Sequence, residues 1–269
     1  AELCRLLQSQ VGSIEGVEIG FTSGKEHRLV VVFRGGDLSD KVSDTDPQKV
    51  GEKPRAASPL APEAEPTSRL VNSVVELASQ VLSRQSPANA LLLRGFSKCP
   101  DFPSMRELFR LSPAAIATYP MYRGLAKLVG MEVLDAGDSI EEEFATLKDN
   151  FERYDFFYIH IKKPDRYGED GDFHGKVRSI EEVDQWLPSL LELNPYVLVV
   201  TGDHSTPSLL KAHSWHPNPF MLYSLYCRPD GAAGFTEREC RKGGLGRFPA
   251  VEVLPLMLAN GLKLKKYGA

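Results

Sequence analysis

The strongest constraint on the fold is an alternation of short apolar runs and amphipathic segments that starts near residue 87. Near-continuous apolar runs of this length indicate buried strands, and the longer segments between them have helical periodicity. This order predicts an α/β fold with a mainly parallel sheet and helices on both faces. The predicted strands are ANALLL, AAIAT, MEVLDA, DFFYIHI, PYVLVV and PFMLYSL, and the predicted helices include residues 120–130, 139–154, 177–193 and 250–262.

The first 85 residues follow a different pattern, which predicts part of a smaller α+β domain. Residues 2–11 are amphipathic with helical spacing, and residues 16–21 and 27–33 are β-rich runs separated by TSGKE, as in a hairpin. Residues 35–67 are rich in Pro, Asp, Ser and Ala, so we expect an irregular and partly mobile segment before a helix from Thr67. The predicted domains are therefore 1–85 and 86–269.

Composition excludes several classes of protein. The formal net charge of −4 and pI of about 5.9 give no general electrostatic reason to expect nucleic acid or an anionic membrane as partner. The 4 cysteines are far apart and form no CxxC pair, which disfavours a disulfide framework or a zinc knuckle and favours reduced thiols in a cytoplasmic protein. No apolar run is long enough for a membrane span. The oligomeric state is left open.

Two polar clusters follow predicted strands, at the carboxyl ends where α/β sheets bind ligands. The first, KKPDRYGEDGDFHGK at residues 162–176, carries Asp165, Glu169, Asp170, Asp172 and His174 on a predicted glycine-containing loop. Oxygen and nitrogen donors in this density suit a divalent cation. A solvated acidic loop that caps the next helix has the same composition, so both interpretations stay open.

The second cluster, TGDHSTPSLLKAHSWHPNPF at residues 201–220, holds three of the six histidines. Asp203 and His204 are adjacent, so their side chains diverge in an extended backbone and could serve different ions of a metal pair. His213 could return from the following loop, whereas His216, before Pro217, is less suited. The alternative is that Asp203 caps a helix starting near Pro207 and that the histidines are surface residues.

Three basic residues lie at or near predicted carboxyl strand ends. Arg94 and Lys98 follow ANALLL, and Arg123 lies in the first turn after AAIATYP. A phosphorylated or carboxylate substrate requires such cations. Each residue taken singly is also explained as a surface charge.

The order of four segments resembles the archaeal-type cofactor-independent phosphoglycerate mutases of the alkaline phosphatase superfamily. These segments are ANALLLRGFSKCPDFPSMRE, AAIATYPMYRGLAKLVGMEV, FFYIHIKKPDRYGEDGDFHGKVRSIEEVD and VVTGDHSTPSLLKAHSWHPNPF, and the resemblance runs over nearly the whole chain. The resemblance implies an alkaline phosphatase-like core, an inserted domain that closes over the substrate, and two divalent ions, Mn, Zn or Mg. It also implies interconversion of 3- and 2-phosphoglycerate through a phosphoserine, with no requirement for 2,3-bisphosphoglycerate.

The resemblance also implies roles for individual residues. Asp203 and His204 match ligands of the metal nearer the nucleophile, and Asp165 and His213 match ligands of the other. Glu169 stands where many members have a histidine ligand, and a carboxylate there favours manganese or magnesium over zinc. Arg123 matches a basic residue at the substrate phosphate.

The family's amino-terminal part, which carries an Asp ligand and the nucleophilic serine, has no counterpart in these residues. We therefore expect the chain to be a carboxy-terminal portion, inactive or a poor catalyst by itself, and we do not expect Ser205 to be the nucleophile. A metal-dependent phosphatase or phosphonate hydrolase, and a non-catalytic remnant of the fold, remain alternatives.

Overall fold

A computed structural model describes residues 1–24 and 27–264, which fall into two compact units divided between Asp101 and Phe102. The first unit contains helices α1 and α2 and an antiparallel sheet with strand order β1-β2-β3. Their bounds are α1 Glu2–Val11, β1 Ser13–Ile14, β2 Val17–Ser23, β3 Leu29–Arg34 and α2 Glu65–Leu82. The predicted amino-terminal helix and hairpin are confirmed; Lys25 and Glu26 of the predicted hairpin connection lie outside the described residues.

Regular spacing of apolar residues explains the core of the first unit. Helix α2 buries Val71, Val74 and Ala78, which are three and four residues apart and so share one helical face. The hairpin of β2 and β3 pairs Ile19 with Phe33, and Ile19 is fully buried in the same core. Burial of these side chains fixes the helix against the sheet.

The proline-rich segment after β3 is irregular, as predicted, although α2 begins at Glu65 and a short 3₁₀ turn covers Pro62–Ala64. Val42 and Ala57 are buried there, so the segment takes part in the core. Thr45 makes two hydrogen bonds with the backbone of Leu93. The Thr45 backbone N–H donates to the Leu93 carbonyl oxygen at 2.8 Å, and the Leu93 N–H donates to Thr45 Oγ1 at 2.8 Å. The predicted strand ANALLL is therefore wrong: these backbone bonds go to Thr45 and form no ladder.

The second unit is built around a three-stranded parallel sheet with strand order β5-β4-β6. The central strand β4 (Pro113–Ala117) is buried along its whole length and pairs with β5 (Glu132–Leu134) and β6 (Phe156–His160). The remaining α-helices and strands are α3 Met105–Phe109, α4 Pro120–Leu128, α5 Ile140–Asn150, α6 Lys163–Asp170, α7 Phe173–Glu192, β7 Val197–Thr201, β8 Phe220–Ser224, α8 Glu237–Cys240 and α9 Val253–Asn260.

The prediction of a mainly parallel sheet is correct only for β4, β5 and β6. Strands β7 and β8 pair antiparallel, with Val199 opposite Leu222, in a separate two-stranded sheet. Both form the continuous apolar runs expected of buried parallel strands, but their side chains are mostly half-buried. Apolar content alone does not determine strand direction, because a short apolar run suits a buried strand in a parallel or in an antiparallel pair.

The first polar cluster is helical and not the predicted loop. Helix α6 has Pro164 in its first turn and is capped at its carboxyl end by Gly171, which adopts the left-handed conformation with φ of 75°. Within the described ranges 1–24 and 27–264, no helix is both long and apolar enough to cross a membrane.

Candidate metal centre

Carboxyl ends of strands position the candidate site. Helix α6 follows β6, and its Asp165 and Glu169 are four residues apart, so both carboxylates lie on one helical face. Asp203 and His204 follow β7, and His213 returns from the turns after Pro207. The structure brings the two sequence-predicted clusters together, since Thr206 of the second contacts Asp165 of the first.

Asp165, His204 and His213 form the centre of the site. Each offers one ligand atom, and these atoms lie within 4.8 Å of one another. The Asp165 Oδ1 atom is 3.7 Å from His204 Nδ1 and 3.7 Å from His213 Nε2, and the two imidazole centroids are 3.8 Å apart. Carboxylate oxygen and imidazole nitrogen together suit manganese, zinc and related divalent ions.

Glu169 adds a second carboxylate beside His213. Its Oε1 atom is 3.5 Å from His213 Nε2. Because Glu169 is about half exposed, it can reach an ion from the solvent side of α6. The structure therefore places the carboxylates of both Asp165 and Glu169 beside His213 Nε2.

Asp203 lies on the opposite side of His204. Its Oδ2 atom is 3.6 Å from His204 Nε2 and accepts a hydrogen bond from the Tyr122 hydroxyl, while Oδ1 accepts from the His204 backbone N–H at 3.0 Å. The alternative capping role is wrong, because the described residues after Pro207 form turns and not a helix.

Hydrogen bonds keep both aspartates ionised. Burial raises the pKa of Asp165, but hydrogen bonds from Lys162 and Thr206 and the Lys162 charge outweigh it, so the pKa falls below its ordinary value. Burial likewise opposes ionisation of Asp203, and the hydrogen bond from Tyr122 is the largest influence that lowers its pKa below the ordinary value. The site therefore presents two ionised carboxylates at neutral pH.

Several neighbours of the ligands were not identified from the sequence. Tyr122 on α4 stacks on His160 at the end of β6, with ring centroids 3.5 Å apart. Lys162 binds Asp165, and Thr206 contacts both Asp165 (2.5 Å) and His204 Nδ1 (3.0 Å). The sequence indicated these neighbours by their position along the chain, since each lies near a strand end or within three residues of a candidate ligand.

Four candidates from the two clusters contact other groups instead. Asp172 caps α7 by accepting from Gly175 N–H at 2.8 Å, and Asp170 lies 3.9 Å from Arg166. His174 packs edge-on against Phe173, and His216 Nδ1 lies 2.9 Å from Ser214 Oγ. The capping interpretation is thus correct for Asp172.

The basic residues have diverse surroundings. Arg123 donates to the carbonyls of Ala117 (3.1 Å) and Leu134 (3.5 Å), at the carboxyl ends of β4 and β5. In the first unit, Arg94 donates to Gln48 Oε1 at 2.8 Å, and Lys98 is exposed. Their substrate-binding role remains a prediction.

Comparisons with known proteins give a consistent identification. A profile described as the metalloenzyme superfamily matches residues 74–260, and one described as 2,3-bisphosphoglycerate-independent phosphoglycerate mutase matches residues 1–89. A protein of Thermosipho africanus described as "Probable 2,3-bisphosphoglycerate-independent phosphoglycerate mutase" is 52% identical over 269 residues, which cover 100% of this chain and 67% of that protein. One of Thermus thermophilus with the same description is 53% identical over 266 residues, covering 98% and 66% respectively.

A solved structure shows the same architecture. The cofactor-independent phosphoglycerate mutase of Thermoplasma acidophilum matches with a TM-score of 0.70 and 26% identity, over 97% of this chain and 69% of that one. The chain thus spans about two thirds of the length of the relatives it matches.

Proposed function

The chain belongs to the 2,3-bisphosphoglycerate-independent phosphoglycerate mutases, isomerases of the metalloenzyme superfamily, and on that premise we propose that it supplies the metal-binding core for interconversion of 3- and 2-phosphoglycerate. The observation that carries the proposal is the convergence of Asp165, His204 and His213, with Glu169 and Asp203 beside them. These are the residues whose motifs resemble the family's ligands.

The donor set supports two divalent ions. Asp165, Glu169 and His213 would hold one, and Asp203 and His204 would contribute to the other. The oxygen-rich first group favours manganese or magnesium over zinc. Such ions, when bound, neutralise phosphate oxygens and activate the attacking hydroxyl in phosphoryl transfer.

The chain's other residues orient the ligands and the substrate. Lys162 and Thr206 hold the two oxygens of Asp165, and Tyr122 holds one oxygen of Asp203. Arg123 would place a cation beside the substrate phosphate from the carboxyl edge of the parallel sheet. Arg94 and Lys98 are proposed as further substrate-binding cations.

The division of labour along the chain is also a proposal. Residues 1–85 would belong to the family's inserted domain, which excludes water during transfer, and residues 86–269 to the metal-binding core. The ranges matched by the two profiles, 1–89 and 74–260, support this division.

The phosphorylated serine is not Ser205 in this proposal. The Ser205 hydroxyl lies 2.9 Å from Asn218 Oδ1 and 3.1 Å from the His216 carbonyl, so it is already bonded within its own loop. A nucleophile needs a hydroxyl that is free to approach the phosphorus in line.

The test uses protein expressed from the complete reading frame, stripped of metal and then supplied with Mn²⁺. ³¹P NMR should show 3-phosphoglycerate converting to 2-phosphoglycerate without added 2,3-bisphosphoglycerate, and Asp165→Asn should abolish the conversion. The exposed Asp170→Asn on the same helix is the matched control. Release of inorganic phosphate without 2-phosphoglycerate would identify a phosphatase, and metal binding without turnover would identify a non-catalytic protein.

A further inference from the structure

Thr206 links the two ligand clusters. Its side chain is almost fully buried, at 3% exposure, and its Oγ1 atom lies 2.5 Å from Asp165 Oδ1 and 3.0 Å from His204 Nδ1. A hydroxyl has a single proton and can donate only once. The Asp165 carboxylate, which only accepts, takes that proton, so the Thr206 oxygen must accept from His204 Nδ1.

We infer that Thr206 fixes His204 as its Nδ1–H tautomer and so directs the free Nε2 atom toward Asp203. The functional consequence of this tautomer rests on the proposed function, because the tautomer decides which of the two proposed ions His204 binds. The Nε2 atom is 3.6 Å from Asp203 Oδ2, whereas the Nδ1 atom that faces Asp165 is occupied by the Thr206 contact. His213 then serves Asp165 and Glu169 without competition from His204.

The surroundings hold Thr206 from two further directions. Its carbonyl accepts a hydrogen bond from Lys176 Nζ at 2.6 Å. It also packs directly on α6, because a Cβ atom built on Gly168 would lie 2.3 Å from that carbonyl oxygen. Only glycine lets the two segments approach this closely. Thr206 is therefore a positioning residue with a fixed hydroxyl, and it is not itself a proposed ligand.

The tautomer is directly observable. We would label the full-length, metal-free protein with ¹⁵N-histidine and record long-range ¹H–¹⁵N spectra, assigning His204 from the signal lost in His204→Gln. The wild type and Thr206→Ser, which keeps the hydroxyl, should both show the Nδ1–H pattern. Thr206→Val, which keeps the shape and removes the hydroxyl, should lose it. Thr201→Val is the matched control, because the Thr201 hydroxyl, at the end of β7, donates to the Pro219 carbonyl.

Mn²⁺ titration gives the functional consequence. Loss of an outer hydrogen-bond partner of a ligating histidine typically weakens metal binding by about 10- to 100-fold. We expect that loss in Thr206→Val at one ion, with recovery in Thr206→Ser.

An Nε2–H pattern for His204 in the wild type would overturn the inference, and this result needs no variant to fold. An unchanged Nδ1–H pattern in Thr206→Val would overturn it as well. Failure of the wild type to bind Mn²⁺ or convert phosphoglycerate would instead count against the proposed function, because the tautomer is read without metal.

Discussion

Glu143 is a buried carboxylate that should make stability depend on pH. It lies on α5 at 3% exposure, and burial raises its pKa from 4.5 to about 7, although the nearby Lys163 charge opposes the rise. The folded state therefore binds the proton more tightly than the unfolded state does. The resulting stabilisation is complete below about pH 4.5 and is lost as pH rises through about 7.

The magnitude follows from the size of the shift. A rise from 4.5 to about 7 corresponds to roughly 3 kcal/mol between the two protonation states. Relaxation and water penetration around the ionised carboxylate reduce this, so we expect roughly 1–2 kcal/mol. Glu143→Gln removes the ionised form and should stabilise the protein by that amount at pH 8, relative to its effect at pH 4.5.

Urea unfolding of the full-length protein at both pH values measures the effect. Trp186 reports on this region, because its ring centroid is 6.4 Å from that of Phe144, beside Glu143. Comparing the variant's effect at the two pH values cancels any packing cost of the amide. Glu141→Gln, an exposed position on the same helical turn, should show no such difference. A Glu143→Gln effect that is equal at pH 4.5 and pH 8 would refute the reasoning.

Three further predictions concern the metal centre. Gly168→Ala should weaken Mn²⁺ binding by about tenfold or more in calorimetry, because the added Cβ atom would displace the Thr206 carbonyl. Gly124→Ala, which has open space around its Cβ atom, should leave the affinity unchanged. Equal affinities in the two variants would contradict this prediction. Tyr122→Phe removes the hydroxyl that donates to Asp203 and should weaken binding of one Mn²⁺ ion by about 10- to 100-fold with little change in Tm. Tyr158→Phe, whose ring centroid is 6.2 Å from that of His160, is its control, and indistinguishable titrations would show that the Tyr122 hydroxyl does not position Asp203. Ser205→Ala should retain phosphoglycerate mutase turnover in a coupled assay, because its hydroxyl is bonded within the loop; loss of the phosphoenzyme in that variant would make Ser205 the nucleophile.

The sequence predicts individual helices and strands well, because apolar spacing and the residues that begin or end an element lie within that short segment. Helix α2 and the β2–β3 hairpin follow from apolar spacing, and β4 follows from a short apolar run. Strand direction was the main failure, because β7 and β8 carry the same apolar pattern that a parallel pair would. The helix at α6 was missed because its glycines and acidic residues also suit a loop.

The candidate site was predictable as a set of donor types at strand ends, and the family resemblance implied how the donors pair, but the closeness of His204 to Asp165 was not predictable. His204 is adjacent to Asp203 in sequence, yet it also lies 3.7 Å from Asp165, which is 39 positions away along the chain. Tyr122 and Thr206, which hydrogen-bond to the candidate ligands, have ordinary side chains with no metal-binding signature. Their roles depend on contacts made only when the two segments pack together.

Anomalous scattering from crystals of the full-length protein grown with Mn²⁺ tests the central claim most directly. Two manganese peaks are predicted, one contacted by Asp165, Glu169 and His213 and the other by Asp203 and His204 Nε2. Saturating Mn²⁺ with no peak at these residues, or with peaks only elsewhere, would contradict the account.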